Sequence, residues 1–321
     1  MLRLVPALLC TSLLLTGCGG TSEDPDTAPS AGTEDSSQPA EAVPPPLKKG
    51  AERRTKQMLR LRKLAEQAAS ELPENTIPDF GGPVLGADMS WPQCPPGMGI
   101  PQKRSRGAPL PLDAARYVVI GLTNGPGLTP NPCLADQVRL VRDRKLLAAA
   151  YAVASYPDAA ALARDGREGP YDGSDPLGAL ANAGYQQALY NVASMTHAGL
   201  VTPVLWIDVE PVPDFEWSTD TVANAAVVQG AARGYTDSGL RVGVYSTPSL
   251  WAGVVGNLSL GVPEWRAAGQ TSREEATSRC GADWVIQGGE AVLGQWVEQG
   301  RDQNITCPGV HRNLGRWFHQ Y

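Results

Sequence analysis

From residue 84 onward the chain alternates short apolar runs with longer stretches in which apolar residues recur every three or four positions. The runs at 84–90, 117–123, 147–154, 203–209, 241–246, 263–268 and 292–297 read as strands. Several are apolar on both faces, as in Tyr117-Val118-Val119-Ile120, the pattern of a parallel strand covered on both sides. Between them, Leu134, Val138 and Val141 mark one helix face. Val228, Ala231, Ala232 and Tyr235 mark another, which Gly239 is placed to stop. Repeated βα units of this kind build α/β folds with a mainly parallel sheet. Seven or eight strands within residues 77–321 fit a (β/α)8 barrel of the TIM type, regular or with irregular units, whose usual length is ~250 residues. A doubly wound sheet is the competing architecture. No GxGxxG follows the first strand and the chain has no P-loop, which removes the usual nucleotide-binding reading.

The first 76 residues follow other patterns. An apolar run over 5–15, behind a single arginine, is shorter than the ~20 residues a bilayer span needs, and 1–17 reads as a signal peptide. It ends Leu15-Thr16-Gly17-Cys18, which resembles the lipobox of bacterial lipoproteins and implies acylation of Cys18. An ordinary secretory signal with an incidental cysteine is the alternative. Residues 18–47 are rich in Ser, Thr, Pro and Ala, with six acidic and no basic residues between 21 and 46, and are expected to form a disordered, solvated tether. The balance then flips: 48–71 carries eight Lys/Arg against three Glu, with Met58, Leu61, Leu64, Ala65 and Ala68 on one helical face. A basic amphipathic helix over 48–76 would suit an anionic lipid or wall polymer, and its apolar stripe would equally suit packing on the barrel behind it. Residues 77–321 are then a single barrel domain.

Composition narrows the function. A chain 42% apolar and 19% charged, with a net charge of −6, is too apolar to be disordered overall and too acidic for a general nucleic-acid binder. Of six cysteines, Cys10 lies in the discarded leader and Cys18 at the lipobox. Cys94, Cys133, Cys280 and Cys307 remain, an even number for an oxidising compartment. Three pairings are possible, and closeness in sequence favours Cys94–Cys133 with Cys280–Cys307. A zinc site competes poorly, since no CxxC occurs and His197, His311 and His319 are not spaced as ligands; no metal or cofactor is expected. Residues 165–176 have the Gly/Asp density of a calcium loop without the EF-hand spacing, and read as a solvated loop.

The candidate chemistry lies in Leu205-Trp206-Ile207-Asp208-Val209-Glu210-Pro211. Residues two apart in a strand face the same way, so Asp208 and Glu210 project together while Ile207 and Val209 face the helices. Two carboxyls at the C-terminal end of a barrel strand sit where barrel enzymes keep their active sites. One can be held protonated as a general acid while the other stays charged. The plainer reading is an acidic pair salt-bridged to arginine. Asp88, in Gly86-Ala87-Asp88-Met89-Ser90, ends the first strand in the same manner and would raise the pKa of the acid.

The order of these motifs resembles the glycoside hydrolase family 25 lysozymes: Gly86-x-Asp88-x-Ser90, Leu122-Thr123-Asn124-Gly125, Asp208-x-Glu210, then Val242-Gly243-Val244-Tyr245-Ser246-Thr247 followed by Trp251. It is more similar still to a secreted actinobacterial, glycoside-hydrolase-like branch, through Ser90-Trp91-Pro92-Gln93-Cys94 and Asn131-Pro132-Cys133-Leu134-Ala135-Asp136-Gln137. The resemblance spans 82–308. It implies a lipid-anchored, muramidase-like glycosidase of the cell surface, with Glu210 as general acid and Asp208 and Asp88 stabilising positive charge at the anomeric centre. Tyr151 matches the aromatic of strand three, Gln295-Trp296 resembles a Trp-Gln-Tyr strand, and Asp302-Gln303-Asn304 resembles the Asp-x-Asn of the closing strand. Ala152 stands where the lysozymes have histidine, and Gly294-Gln295-Trp296 replaces Trp-Gln-Tyr. Eight Trp and nine Tyr against three Phe suit a sugar cleft, and Trp91, Tyr151, Tyr245, Trp251, Gln295 and Asp302 are the expected substrate contacts. The partners expected are cell-wall polysaccharide and, through the lipid anchor, the membrane, with no nucleic acid. A non-catalytic glycan-binding or wall-organising lipoprotein on the same barrel is the second reading.

Overall fold

The computed structural model of the protein describes residues 45–48 and 77–321. The expectations for the signal peptide, for Cys18, for the tether before residue 45 and for the basic helix after Lys48 lie outside the described residues.

The elements run β1 (Leu85–Met89), β2 (Tyr117–Gly121), α1 (Leu134–Asp143), β3 (Leu147–Val153), α2 (Ala159–Asp165), α3 (Pro176–His197), β4 (Val204–Asp208), α4 (Thr221–Asp237), β5 (Arg241–Ser246), α5 (Pro248–Val255), β6 (Glu264–Gln270), α6 (Arg273–Ser278), β7 (Ala291–Glu298), β8 (Arg301–Thr306) and β9 (His319–Gln320). All seven expected strands form, within a residue or two at their ends. The strands follow the order β2-β1-β8-β7-β6-β5-β4-β3, and pairing of β2 with β3 closes them into an eight-stranded barrel. The fold is therefore mixed α/β around a closed barrel. Among the described residues no helix is long and apolar enough to cross a membrane.

The barrel is irregular in two places. Strands β1 to β7 are parallel to their barrel neighbours in that series, but β8 runs antiparallel to both β7 and β1. A hairpin makes this possible: Gln299 and Gly300 both take positive φ, as a two-residue type I′ turn requires. The second irregularity is the β1–β2 connection, which has a short 3-10 turn at Trp91–Gln93 in place of an α-helix. That connection is stapled to the start of α1 by the disulfide Cys94–Cys133, and Cys280–Cys307 forms the second bridge. Both favoured pairings are present.

Hydrophobic alternation sorts the strand residues into two layers. Ile207, Val209, Val228, Val242 and Val244 pack between barrel and helices. Tyr117, Val119, Ala149, Val204, Trp206, Trp265 and Leu293 fill the interior, with Val310, Leu314, Trp317 and Phe318 closing it at the end where the strands begin. Phe318 sits 4.3 Å from the Tyr117 ring and Trp317 stacks on Trp206 at 6.2 Å between centroids. Gly243 makes room for Trp206, since a Cβ there would lie 2.4 Å from the indole. The opposite end, at the strand C-termini, is the open one.

Helix α3 was not legible as an apolar stripe. Its buried face is mostly Gly, Ala and Asn, and it meets α4 so closely that a Cβ on Gly184 would lie 2.0 Å from Val227 O. Asp175 caps it by accepting from Gly178 N at 2.9 Å. The preceding segment 165–176 is a surface loop, as expected, pinned at one point: Tyr171 is buried and the turn is organised by the buried amide of Asn182, which donates to Gly166 O and Tyr171 O and accepts from Tyr171 N. Residues 46–48 lie along this same turn. Lys48 N donates to Pro170 O and Asp172 N donates to Pro46 O, so the end of the expected tether and the first residue of the expected basic helix are hydrogen-bonded to the 165–176 turn.

Candidate active site

The strands that alternate into the barrel interior deliver polar side chains at their C-terminal ends. Asp88 comes from β1, Tyr151 from β3, Asp208 from β4 with Glu210 just beyond it, Tyr245 from β5, Trp265 from β6, Gln295 from β7 and Asp302 from β8. Together they line a cavity of about 290 Å³. Trp91 lines it from the β1–β2 connection. Eight of the nine expected catalytic and substrate residues therefore meet in one place. Trp251 is the exception. It lies on α5, outside the barrel, fully buried in the helix layer with its indole N–H donated to Leu258 O at 2.8 Å, so it is a core residue and not a sugar contact.

Asp208 and Asp88 are 4% and 7% exposed, whereas Glu210 is half-buried. Neither member of the Asp208–Glu210 pair makes an ion pair among the described residues. The plainer reading of a pair neutralised by arginine is corrected accordingly. Asp208 Oδ1 is buried without a hydrogen-bond partner, a costly condition that a ligand donor would relieve. Asp88 is the contrast. Its Oδ1 accepts from Asn304 Nδ2 at 2.7 Å and from Gln295 Nε2 at 3.3 Å. Trp265 Nε1 donates to Asn304 Oδ1 at 2.7 Å, and Tyr245 OH donates to Gln295 Oε1 at 3.0 Å. An indole N–H can only donate, so it turns the Asn304 oxygen toward itself and the amide nitrogen toward Asp88.

Desolvation dominates the electrostatics. Burial, and then the neighbouring Asp302, hold Asp88 well above the ordinary carboxyl range, while the two amide donors pull it back. Burial, then Glu210 and Asp88, raise Asp208. Glu210 is raised by burial and by Asp302, and Asp302 by burial. Four carboxyls this close share protons as a set, so their titration belongs to the cluster and not to any one of them.

The two sequence motifs after β1 and β2 form one scaffold beside the cavity. Gln93 Oε1 accepts from Ser90 N at 2.8 Å, and Gln137 Nε2 donates to Ser90 O at 2.6 Å. Asn131 Nδ2 donates to Gln137 Oε1 and to Gly121 O, each at 2.8 Å, next to the Cys94–Cys133 bridge. Several residues of the cavity wall were not among the expected contacts. Trp265 could have been found, since alternation along β6 turns it inward. Lys103 and the Pro211–Pro213 rim lie on connections without periodicity, which carry no such signal. The departures from the lysozyme pattern are instructive: Ala152 packs in the outer layer, and Gly294 lies against the backbone of α6. Only Gln295 of the altered 294–296 triplet faces the cavity. Among the described residues no group of His, Cys, Asp or Glu has the arrangement of a metal site.

Fold and cavity define a barrel with an acidic cleft at the strand C-termini. The family described as Lys-1, Lysozyme-like protein 1, matches residues 176–279. The chain is thus similar to lysozyme-like proteins over the segment that carries Asp208 and Glu210. Counting factor 45-1 of Dictyostelium discoideum is 44% identical over 77 residues, 24% of this chain and 25% of that one, so the match spans about a quarter of that relative's length. Among solved structures, a muramidase from Trichobolus zukalii aligns with a TM-score of 0.47 and 16% identity over 73% of this chain and 98% of that one. A family GH25 lysozyme from Aspergillus fumigatus gives 0.43 and 17% over 70% and 93%. The bacterial lysozyme from Streptomyces coelicolor gives 0.45 and 15% over 73% and 96%.

Proposed function

We propose that the protein is a muramidase-type glycoside hydrolase that acts on cell-wall glycan at the extracytoplasmic face of the membrane, held there by a lipid on Cys18. The observation that carries the enzymatic part is the Asp208–Glu210 pair, both lining the cavity and making no ion pair among the described residues, beside an Asp88 clamped by two amides. The lysozyme-like match over 176–279 supports the same reading.

In this mechanism Glu210, the more exposed carboxyl and raised by its surroundings, enters protonated and gives its proton to the glycosidic oxygen as the bond to the anomeric carbon breaks. Asp208 Oδ1, which lacks a partner, accepts the N–H of a 2-acetamido group and so turns the acetamido oxygen onto the anomeric carbon. Asp88, kept an acceptor by Asn304 and Gln295, stabilises the positive charge that develops. Water then opens the cyclic intermediate, its proton returns to Glu210, and configuration is retained.

The test is release of reducing ends from purified peptidoglycan by the wild type and by Glu210→Gln. Loss of a general acid lowers the rate by about 10²–10⁴. Equal, near-zero release by both proteins, with glycan binding intact, would establish the non-catalytic binding reading instead. The positions that depart from the lysozyme pattern, Ala152 and Gly294, do not face the cavity, which weighs toward the enzyme.

A further inference from the structure

The cavity is lined by four carboxyls and by one basic residue, Lys103. It sits on the β1–β2 connection, yet its backbone is fixed to the barrel. Asn124, 1% exposed, accepts from Ile100 N at 2.8 Å and donates to Lys103 O at 3.0 Å, gripping both ends of the 100–103 turn with one side chain. Two residues on, Ser105 Oγ donates to Pro92 O at 2.9 Å. The side chain is held as well. Gly125 has φ +93°, and a Cβ there would lie 3.4 Å from Lys103 Cγ, so the lysine stem lies across bare backbone. Arg104 and Arg106 beside it are exposed, while Lys103 is half-buried at the cavity wall.

A lysine placed to neutralise this acidic cluster would bond to one of its members. Lys103 makes no side-chain hydrogen bond and no ion pair among the described residues. The carboxyls are also shifted upward, opposite to the effect of a contacting cation. The stem is thus held at the wall of the cavity with the ammonium unpaired, placed to meet an anion that a ligand brings.

We infer that Lys103 is a specificity-determining residue that pairs with a carboxylate on the glycan, so that the substrate class is an acidic polysaccharide carrying a carboxyl group beside the bond in the cleft. The inference rests on reading the cavity as a glycan cleft. Two sources offer this chemistry, the lactyl carboxylate of a muramoyl sugar freed of its peptide and a uronic acid. The one cation also sets orientation: the acidic substituent goes to Lys103, and the neutral parts of the sugar face the carboxyls.

The test uses the full chain in a Glu210→Gln background, which leaves glycans uncut, and measures affinity by calorimetry. The probes are peptide-stripped peptidoglycan strands, hyaluronan and neutral chito-oligosaccharides. Lys103→Met is expected to lower the ratio of acidic to neutral affinity about tenfold, and Lys103→Arg to keep it. The acidic probe that shows the loss identifies the lactyl or the uronate source. An unchanged ratio in Lys103→Met, whether both affinities fall or neither does, overturns the inference. Turnover by the protein with Glu210 intact is read separately. Lys103-dependent preference without turnover removes the hydrolase reading alone, and turnover of acidic and neutral glycans alike with no dependence on Lys103 removes this inference alone.

Discussion

Asn304 Nδ2 donates to Asp88 Oδ1 at 2.7 Å across the seam between β8 and β1, the place where the barrel changes from parallel to antiparallel pairing. The register there sets Asn304 against Gly86, so the amide and the carboxyl rise from adjacent strands on the inner face. Removing the donor, as in Asn304→Leu, leaves Asp88 with the weaker bond from Gln295 and raises its pKa further. If Asp88 acts as the anion, the acid limb of the pH–rate profile moves to higher pH and kcat/KM falls roughly 10²-fold at neutral pH. Trp265→Phe frees Asn304 to turn and is expected to move the same limb in the same direction by less.

The raised carboxyls also bear on stability. Asp88 and Asp208 keep their protons to higher pH in the folded chain than in the unfolded one. The native state therefore binds more protons, and stability falls as pH rises from the ordinary carboxyl range through the folded values. Asp208→Asn removes one such group. It is expected to raise Tm by roughly 2–4 °C at pH 7–8 while abolishing activity, and to give no gain below the ordinary carboxyl range. Calorimetric scans of both proteins at acid and neutral pH check this; a gain larger at acid pH would contradict the sign.

A second charged group is structural. Glu264 is fully buried, pairs with Arg266 at 2.7 Å and accepts from the backbone N–H groups of Ile286, Gln287 and Gly289. Arg266 in turn donates to the carbonyls of Arg279 and Gly281, on either side of a bridged cysteine. Glu264→Ala strands a buried guanidinium and three N–H groups, and is expected to cost about 3–5 kcal/mol in denaturant unfolding.

Trp91 and Trp251 separate site from core. Trp91→Ala is expected to weaken glycan binding with little change in Tm. Trp251→Ala is expected to lower stability by about 3–5 kcal/mol, and glycan affinity, measured on the fraction that folds, stays unchanged.

For the anchor, Cys18→Ala is expected to move the protein from the membrane fraction to the medium when expressed with its own leader. Unchanged membrane retention would count against the lipobox reading.

Much of the fold was readable because burial writes a period into the sequence. Val118, Ile120 and Ile207 alternate with Tyr117, Val119 and Trp206, and both sets are buried, which is what a barrel strand between core and helices demands. Strand β8 was legible only through its likeness to a closing Asp-x-Asn, because Arg301-Asp302-Gln303-Asn304 spends its inward positions on polar groups. Helix α3 was silent for the opposite reason, since close approach to α4 demands small side chains and erases the apolar stripe. Asp88, Asp208 and Glu210 stood out as carboxyls at the ends of apolar runs. Trp251 was misplaced because its position after a strand says nothing about which way a helix turns its face. Lys103 gave no signal, being positioned by Asn124 and Gly125 from a different connection.

The residues that seal the barrel's lower mouth, Leu314, Trp317 and Phe318, come after all eight barrel strands in the order of synthesis. The interior faces of Tyr117 and Trp206 are covered only when that late segment docks, so the barrel cannot finish folding while its C-terminal end is still being made. A chain cut just before residue 310 would have every carboxyl of the cleft and no floor beneath them.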